Sequence, residues 1–352
     1  QITNAIITHR NVNSLVDYMT AHVVFDEYHE YINMPAFNLL FAELIECKRL
    51  QENNAKALLV SATPNYYFVE SLLGLNEYDI IEVDSFNKSQ YQIDWQIFDE
   101  GKQDKTNPLY KEQPENTFVI SNTAITAQLS FIANQSTENA LLFHGKYKKT
   151  DKHTIFNQVV DNFEENGTHH YDVLRSGPIV QASLNISCNR MVTEFTHAEN
   201  WLQRLGRLDR FGKNETVNHY ITAIPNSLSA GGKQFSKCAR FLNNLHSLQS
   251  AKAWHEFLKA ELSDESVTIQ QIYQLYKQFY QNDTHKKAIE EDLKKALKQS
   301  GEVINDKLLD PISLPNKKLP KETAVKIKKQ SLRGDNRFVQ MAVWNIGNDK
   351  EE

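Results

Sequence analysis

The sequence predicts an α/β protein in which a parallel sheet is wrapped by helices and followed by a helical region. Three observations carry that expectation. Between residues 117 and 223, short β-branched and aromatic runs alternate with longer helical patterns, as parallel strands joined by crossover helices require. A run of the same kind, His22-Val23-Val24-Phe25, ends in the two acids Asp26-Glu27. From Ser227 onward the strand pattern stops and amphipathic helices take over.

The elements follow in order. The run ending at Phe25 is expected to be a buried parallel strand with carboxylates at its C-terminal end, where open α/β sheets place ligands. Residues 34–51 carry Phe37, Leu40, Phe41, Leu44 and Ile45 at helical spacing, a core-facing stripe. Leu58-Leu59-Val60 is a second strand running into Ser61-Ala62-Thr63, a short helix at 68–75 follows Pro64, and 78–83 is expected to be a further strand. These form a first unit, residues 1–88. A polar loop at 98–115, with Pro108 and Pro114, leads into the second unit, residues 89–226. Strands are expected there at 117–121, 140–144, 171–174, 191–195 and 217–223, and helices at 124–134, 152–165 and 197–210. Residues 227–300 form the helical region, with helices at 234–248, 252–262, 267–281 and 288–299. In the third of these, Ile269, Ile272, Tyr273, Tyr276, Phe279 and Tyr280 make one stripe. With Lys277 it could stack bases; an ordinary apolar packing face is the competing reading. Residues 301–352 are expected to be a Pro-punctuated, lysine-bearing linker and the start of a C-terminal segment, with a strand-like run at 338–344.

Composition bounds the class. A chain of 352 residues has room for two domains with sizeable cores. Cys47, Cys188 and Cys238 form neither a CxxC pair nor a disulfide framework, which points to a reducing cytoplasm. No apolar run is long enough to span a membrane, and no signal pattern opens the chain. A net charge of −5 excludes a globally basic nucleic-acid binder, but not a channel that grips phosphates locally.

The chemistry concentrates in three strings. Gln203-Arg204-Leu205-Gly206-Arg207-Leu208-Asp209-Arg210 places Arg207 and Arg210 three residues apart, on one face if the string is helical. Two guanidinium forks there suit a polyphosphate whose charge grows during reaction; for an arbitrary Arg-x-x-Arg, a solvated basic face would be the better account. Asp26-Glu27-Tyr28-His29 supplies an acid to hold Mg²⁺ through water, Asp26, and one to polarise the attacking water, Glu27. Ser61-Ala62-Thr63 offers hydroxyls that could relay between nucleotide and nucleic acid.

In this order the strings resemble motifs II, III and VI of the superfamily 2 DExH-box helicases. A closer resemblance is to the helicase part of the helicase–nuclease of type I CRISPR–Cas systems. It is carried by Phe143-His144-Gly145, Lys149-Thr150-Asp151-Lys152, Gln181-Ala182-Ser183-Leu184-Asn185 and Ala198-Glu199-Asn200-Trp201-Leu202 running into motif VI. It spans roughly residues 1–225. The fold it implies is an incomplete first RecA-like lobe, a second RecA-like lobe with a parallel sheet, and a helical C-terminal region. The activity implied is ATP- and Mg²⁺-dependent 3′→5′ movement along single-stranded DNA displaced by an RNA-guided surveillance complex, feeding an HD nuclease in cis or in trans.

Within that resemblance Glu27, Gln203, Arg207 and Arg210 are the catalytic candidates. Asp26, His29 and Asn185 are the candidates at the nucleotide, with His29 reaching towards Gln203. Ser61, Thr63, Ser121, Asn122, Thr123 and Ser183 are those at the nucleic acid, the backbone amides of 121–123 included. Two departures weaken the coupling region, where the family usually has acids and this chain has Gln181 and Asn185. A third is larger. The Gly-Lys pairs at Gly101, Gly145, Gly212 and Gly232 are followed by Gln103, Tyr147, Asn214 and Gln234, so no Ser or Thr completes a phosphate-cradling P-loop. No His-Asp dipeptide occurs among the 12 histidines, so the HD domain is not in these residues. The expectation is a piece of a larger protein, cut within its first motor domain. Two alternatives stay open: a DExH helicase outside CRISPR, acting on RNA or in repair, and an inactive docking module on the helicase fold. A zinc site from His144, His153, His169 and His170 lacks the spacing that zinc ligation needs.

Overall fold

The computed structural model describes residues 12–32, 34, 36–51, 55–76, 79–102, 104–181, 184–233, 235–263 and 265–307. Ser183 and the linker features beyond residue 307 lie outside them. The described residues pack as two compact units, one within 12–61 and 294–307, the other within 62–293. This packing boundary falls inside the Ser-Ala-Thr string.

In the first unit, helix α1 (Val12–Thr20) precedes strand β1 (Val23–Phe25), the short helix α2 (His29–Ile32), helix α3 (Phe37–Arg49) and strand β2 (Ala57–Leu59). β1 and β2 pair in parallel, Val24 opposite Leu58. The expected strand is there, but it is not buried on both faces: Val24 is 62% exposed and Leu58 55%. The covered side is aromatic, with Phe25 edge-on to Phe41 at 5.0 Å and Tyr28 stacked on Phe41 at 6.1 Å. Lys48, 5% exposed, donates from Nζ to the carbonyls of Tyr18, Met19 and Ala21, which satisfies the orphan acceptors at the C-terminal end of α1.

The second unit opens with α4 (Tyr66–Ser71), capped by Asn65, whose Oδ1 accepts from Phe68 N at 3.0 Å. Strands β3 (Gln90–Phe98), β4 (Thr117–Ile120), β5 (Ala140–Phe143), β6 (Val173–Ser176), β7 (Arg190–Glu194), β8 (Asn218–Pro225) and β9 (Val267–Thr268) form one sheet in the order β5-β6-β4-β7-β8-β3-β9. Every neighbouring pair is parallel except β3 with β9. Helices α5 (Ala124–Asn134), α6 (Lys149–Phe163) and α7 (Ala198–Leu205) make the crossovers. Strand alternation sorts the core into two faces. Phe118, Leu174, Met191 and Tyr220 face α6, α7 and the helical region. Val119, Val173, Val192 and Ile221 face the other side, under α5 and the segment carrying Leu109 and Tyr110. Beyond the sheet come α8 (Lys237–Asn244), α9 (Leu248–Glu261), α10 (Ile269–Gln281) and α11 (Asp283–Lys307).

Three expectations change. Residues 79–83 are not a strand: Ile81 is 86% and Val83 89% exposed, and they join no ladder. Strand β3 was not among the expected strands, although Tyr91, Ile93, Trp95 and Ile97 alternate with Gln90, Gln92, Asp94 and Gln96 at the period of a strand. The polar loop after it is integral to the unit. Arg175, fully buried, grips Glu138 through two hydrogen bonds of 2.7 and 2.6 Å and donates to the carbonyls of Leu109 and Lys111. A buried bidentate pair with its remaining donors satisfied holds that loop where a linker would have been mobile.

Candidate nucleotide and nucleic-acid site

In the first unit the acid pair leaves β1 through a tight turn. Glu27 sits at φ 48, in the left-handed region, and its N–H donates to Asp26 Oδ1 at 3.1 Å. The turn is fastened to β2, since Tyr28 N donates to Val60 O at 3.3 Å and Val60 N to Phe25 O at 2.9 Å. Asp26 is exposed at the strand's C-terminal end. Glu27 Oε2 is buried with no hydrogen-bond partner, although His29 Nδ1 lies 3.3 Å away. His29, 7% exposed, makes its 2.8 Å bond from Nδ1 to Ser61 Oγ. Motif II and the first hydroxyl of motif III therefore form one cluster around an imidazole.

In the second unit the motif VI string is a helix only in its first half. α7 ends at Leu205 and tightens into i→i+3 bonds, Arg207 N to Arg204 O and Leu208 N to Leu205 O, both 2.9 Å. Arg207 and Arg210 thus stand on the turn after the helix, not on one helical face as the spacing suggested. The cause is pairing with another segment: Cys188 N donates to Arg207 O at 3.0 Å and Asp209 N to Cys188 O at 2.8 Å, which draws Leu208 into an isolated parallel bridge. Asp209, at φ 47, completes the turn by accepting from Lys213 N at 2.9 Å and Asn218 Nδ2 at 3.2 Å. Arg207, 5% exposed, donates from Nε to Val180 O at 3.2 Å. Arg210 donates from Nε to Asn185 Oδ1 at 2.8 Å, so the motif V and motif VI candidates meet.

Gln203, on α7, donates from Nε2 to Thr63 Oγ1 at 3.2 Å. One turn earlier Glu199 grips the same segment. It accepts from Asn65 Nδ2 at 3.2 Å, from the Tyr280 hydroxyl, and pairs with His197 Nδ1 at 2.8 Å. Burial pushes the Glu199 carboxyl up, but the His197 bond and charge and the Tyr280 hydroxyl outweigh it and hold it down at about 2. Sequence reasoning missed this residue; its i, i+4 relation to Gln203 was the available signal.

The nucleic-acid candidates divide. Thr63 is fully buried on Gln203. Ser121 and Asn122 are buried and their amides are already engaged, Ser121 N by Ser176 O at 2.8 Å and Asn122 N by Glu194 Oε2 at 2.6 Å. The Asn122 side chain receives Arg204 Nη2 at 2.8 Å and donates to Phe195 O at 2.8 Å. These two therefore serve the packing of the unit and do not offer free amides. Thr123 is partly exposed and caps α5, its Oγ1 accepting from Thr126 N at 3.1 Å. The α10 stripe is core: Ile272, Tyr276, Phe279 and Tyr280 are buried, and the Tyr276 hydroxyl donates to Pro64 O at 2.9 Å. Of the four histidines weighed for zinc, His144 instead bonds Gln128 Nε2 at 2.8 Å and stacks on Tyr147.

Comparison with known proteins bears on the fold. Residues 113–213 match the family described as CRISPR-associated nuclease/helicase Cas3, C-terminal. The Escherichia coli K12 CRISPR-associated endonuclease/helicase Cas3 is 25% identical over 105 residues, which is 30% of this chain and 12% of that protein. The crystal structure of T. fusca Cas3 superposes with a TM-score of 0.65 at 17% identity, covering 87% of this chain and 41% of that one. A CRISPR RNA-guided surveillance complex in a pre-nicking state contains a chain with a TM-score of 0.66 at 18% identity, covering 87% and 43%. A T. fusca Cas3-ATP structure gives 0.64 at 17% identity, covering 86% and 40%. The chain spans less than half the length of the relatives it matches. No helix among the described residues is long and apolar enough to cross a membrane. The chain thus has the α/β fold of the Cas3 helicase, and its residues 113–213 are similar to the C-terminal part of that CRISPR-associated nuclease/helicase.

Proposed function

We propose that this chain is the strand-gripping and nucleotide-sensing part of an ATP-dependent single-stranded DNA translocase of CRISPR type I defence, acting in the cytoplasm beside an RNA-guided surveillance complex and an HD nuclease. The observation that carries the reading is the tie of motif VI to motif III within one packed unit, Gln203 on Thr63 and Glu199 on Asn65. A helix whose polar face is spent on a loop bearing hydroxyls is built to transmit displacement from one to the other. Residues 1–88 and 89–226 are, on this reading, the remnant of lobe one and the whole of lobe two.

The residues fit a magnesium nucleotide. Asp26 presents an exposed carboxylate at a strand end, and the orphaned buried Glu27 Oε2 is an acceptor in want of a donor such as water. In the first unit Asp26 would hold the ion through water; in the second Arg207 and Arg210 are the guanidiniums suited to phosphate, with Asn185 aligning Arg210. When bound, the ion neutralises charge on the transferring phosphoryl group. Glu27 orients and polarises water; His29, bonded to Ser61, keeps the acid turn in register with motif III. In the intact protein, Glu27→Gln is expected to leave ATP binding largely intact and abolish hydrolysis. Arg207→Ala and Arg210→Ala are each expected to slow hydrolysis roughly 10³-fold or more. An arginine variant that hydrolysed ATP at the parental rate, with an unchanged melting temperature, would remove that residue from the site.

A further inference from the structure

Where β7 ends and α8 begins, three acidic side chains meet inside the second unit. A carboxylate oxygen of Glu100, one of Glu194 and the sulfur of Cys238 all lie within 4.8 Å of one another. Glu194 is 4% and Cys238 1% exposed, and Glu100 is half-buried, which leaves one side open for entry. We propose that these residues hold one divalent cation of the zinc class, a thiolate and two carboxylates clamping together the end of β7, the segment after β3 and the start of α8. The clamp does not depend on the nucleotide chemistry proposed above.

The ligand atoms are already oriented. Glu100 accepts from Lys237 N at 2.7 Å and from Cys238 N at 3.0 Å, so the first turn of α8 fixes its two oxygens and delivers Cys238 beside them. Asn122 serves the other two ligands. Its backbone N–H donates to Glu194 Oε2 at 2.6 Å, and its Nδ2 donates to Cys238 Sγ at 3.4 Å. Asn122 is itself held, with Oδ1 accepting from Arg204 Nη2 at 2.8 Å and Nδ2 donating to Phe195 O at 2.8 Å. Outer residues that fix ligands in this way are the rule around protein metal ions. Each carboxylate oxygen that accepts one hydrogen bond keeps a second lone pair for the ion.

An orphaned hydroxyl marks the same spot. In the β4–β7 ladder Val119 lies opposite Val192 and Ile120 opposite Thr193, so the next step puts Ser121 opposite Glu194. Strand alternation turns both onto the face of Val119 and Val192. Ser121 is fully buried, and its Oγ has no hydrogen-bond partner among the described residues. A buried hydroxyl without a partner calls for one; here it stands where an oxygen, or a water on the ion, completes a tetrahedron. Charge points the same way. With the thiol ionised the three ligands carry three negative charges, and fully buried Arg204, which acts on both Glu194 and Cys238, supplies one positive. A divalent cation closes the sum, as buried charge requires. The sulfur selects zinc and its neighbours over magnesium or calcium, which take oxygen alone. Tetrahedral zinc with sulfur and oxygen ligands has edges of roughly 3.3–3.8 Å, so a contraction of about 1 Å closes the group on the ion. On binding, the S–H bond of Cys238 breaks as the sulfur–metal bond forms, and that proton and the one burial leaves on Glu194 pass to solvent.

Cobalt(II) titration of this chain, stripped with a chelator and kept reduced, tests the site, because a thiolate–cobalt bond adds a near-ultraviolet charge-transfer band. The band should saturate at one equivalent of cobalt, and zinc should displace the cobalt and remove it. Cys238→Ser should abolish the band, while Cys47→Ser, which removes the exposed thiol, should leave it unchanged. Zinc should raise the melting temperature of the parent but not of Cys238→Ser. Glu100→Gln alters a half-buried side chain and keeps an acceptor for the α8 amides, so it reads the site even if Cys238→Ser folds poorly. It should weaken zinc about tenfold or more in competition with a chromophoric chelator, since losing even an outer partner of a ligand typically costs that much. A folded chain that shows no band at stoichiometric cobalt would overturn the proposal. So would unchanged zinc affinity in Glu100→Gln, or a band that survives Cys238→Ser or vanishes in Cys47→Ser, which would mark adventitious binding at a surface thiol.

Discussion

Arg204 and Glu194 show how much of this site is built from buried charge. Arg204 is fully buried and donates to Thr193 Oγ1 at 2.8 Å, to the Glu194 carbonyl at 3.1 Å and to Asn122 Oδ1. The Glu194 carboxylate accepts from Asn122 N and faces Glu100, Cys238 and Tyr110 from neighbouring segments, with Arg204 on α7. Burial drives its pKa up to about 7, against the Asn122 bond that lowers it. Native Glu194 thus keeps its proton over a range in which the unfolded chain, near ~4.3, has released it. With more protons bound in the folded state, this residue's contribution is full below the ordinary carboxylate range and is lost as pH rises through about 7. His255, held down to about 3 by burial, acts in the opposite direction, but both proteins in the comparison carry it. The stability of the parent relative to Glu194→Gln, from urea unfolding, should therefore fall steadily from about pH 4.5 to about pH 7. Parallel pH curves for the two proteins would contradict it. None of this was legible beforehand: Glu194 stands in Arg190-Met191-Val192-Thr193-Glu194, and only the fold brings Asn122 and Cys238 to it.

Elements were legible where the apolar pattern is continuous and local. β4, β5, β7 and β8 are short runs bounded by turn residues, and α5 begins at a Thr cap, so periodicity found them. β3 carries the other strand signal, a period-2 alternation of Tyr91, Ile93, Trp95 and Ile97 with Gln90, Gln92, Asp94 and Gln96, which a search for continuous apolar runs passes over. α7 was drawn too long because the string looks equally helical past Gly206. Glycine is about 1 kcal/mol worse than alanine within a helix, a stop signal on the page, but the bridge to Cys188 that ends the helix is a long-range contact. Asp209 now closes that turn. Asp209→Ala should cost roughly 2–4 kcal/mol, since a buried carboxylate with two or more hydrogen bonds is lost and a left-handed non-glycine position remains. Asp209→Asn, which keeps one acceptor and tolerates that backbone, should cost less than half as much. Urea midpoints for both variants would show it, and equal losses would mean that the charge matters more than the turn.

At the scale of the molecule, the fold follows Cas3 along most of the chain, while Arg207 and Arg210 stand on the turn after their helix and not on it. Yet the phosphate cradle is not in these 352 residues. Purified alone, the chain should release no phosphate from ATP above background, with or without DNA, in a coupled phosphate assay; robust turnover would show that another loop had been overlooked. Strand binding is the part this chain should still perform. Fluorescence anisotropy with a labelled single-stranded oligonucleotide at two salt concentrations tests it most directly. The expected result is weak binding with little sequence preference, and a shallow log–log salt slope of roughly −0.7 for each phosphate held. Binding that ignored salt, or that favoured duplex over single strand, would contradict a translocase and favour a docking module.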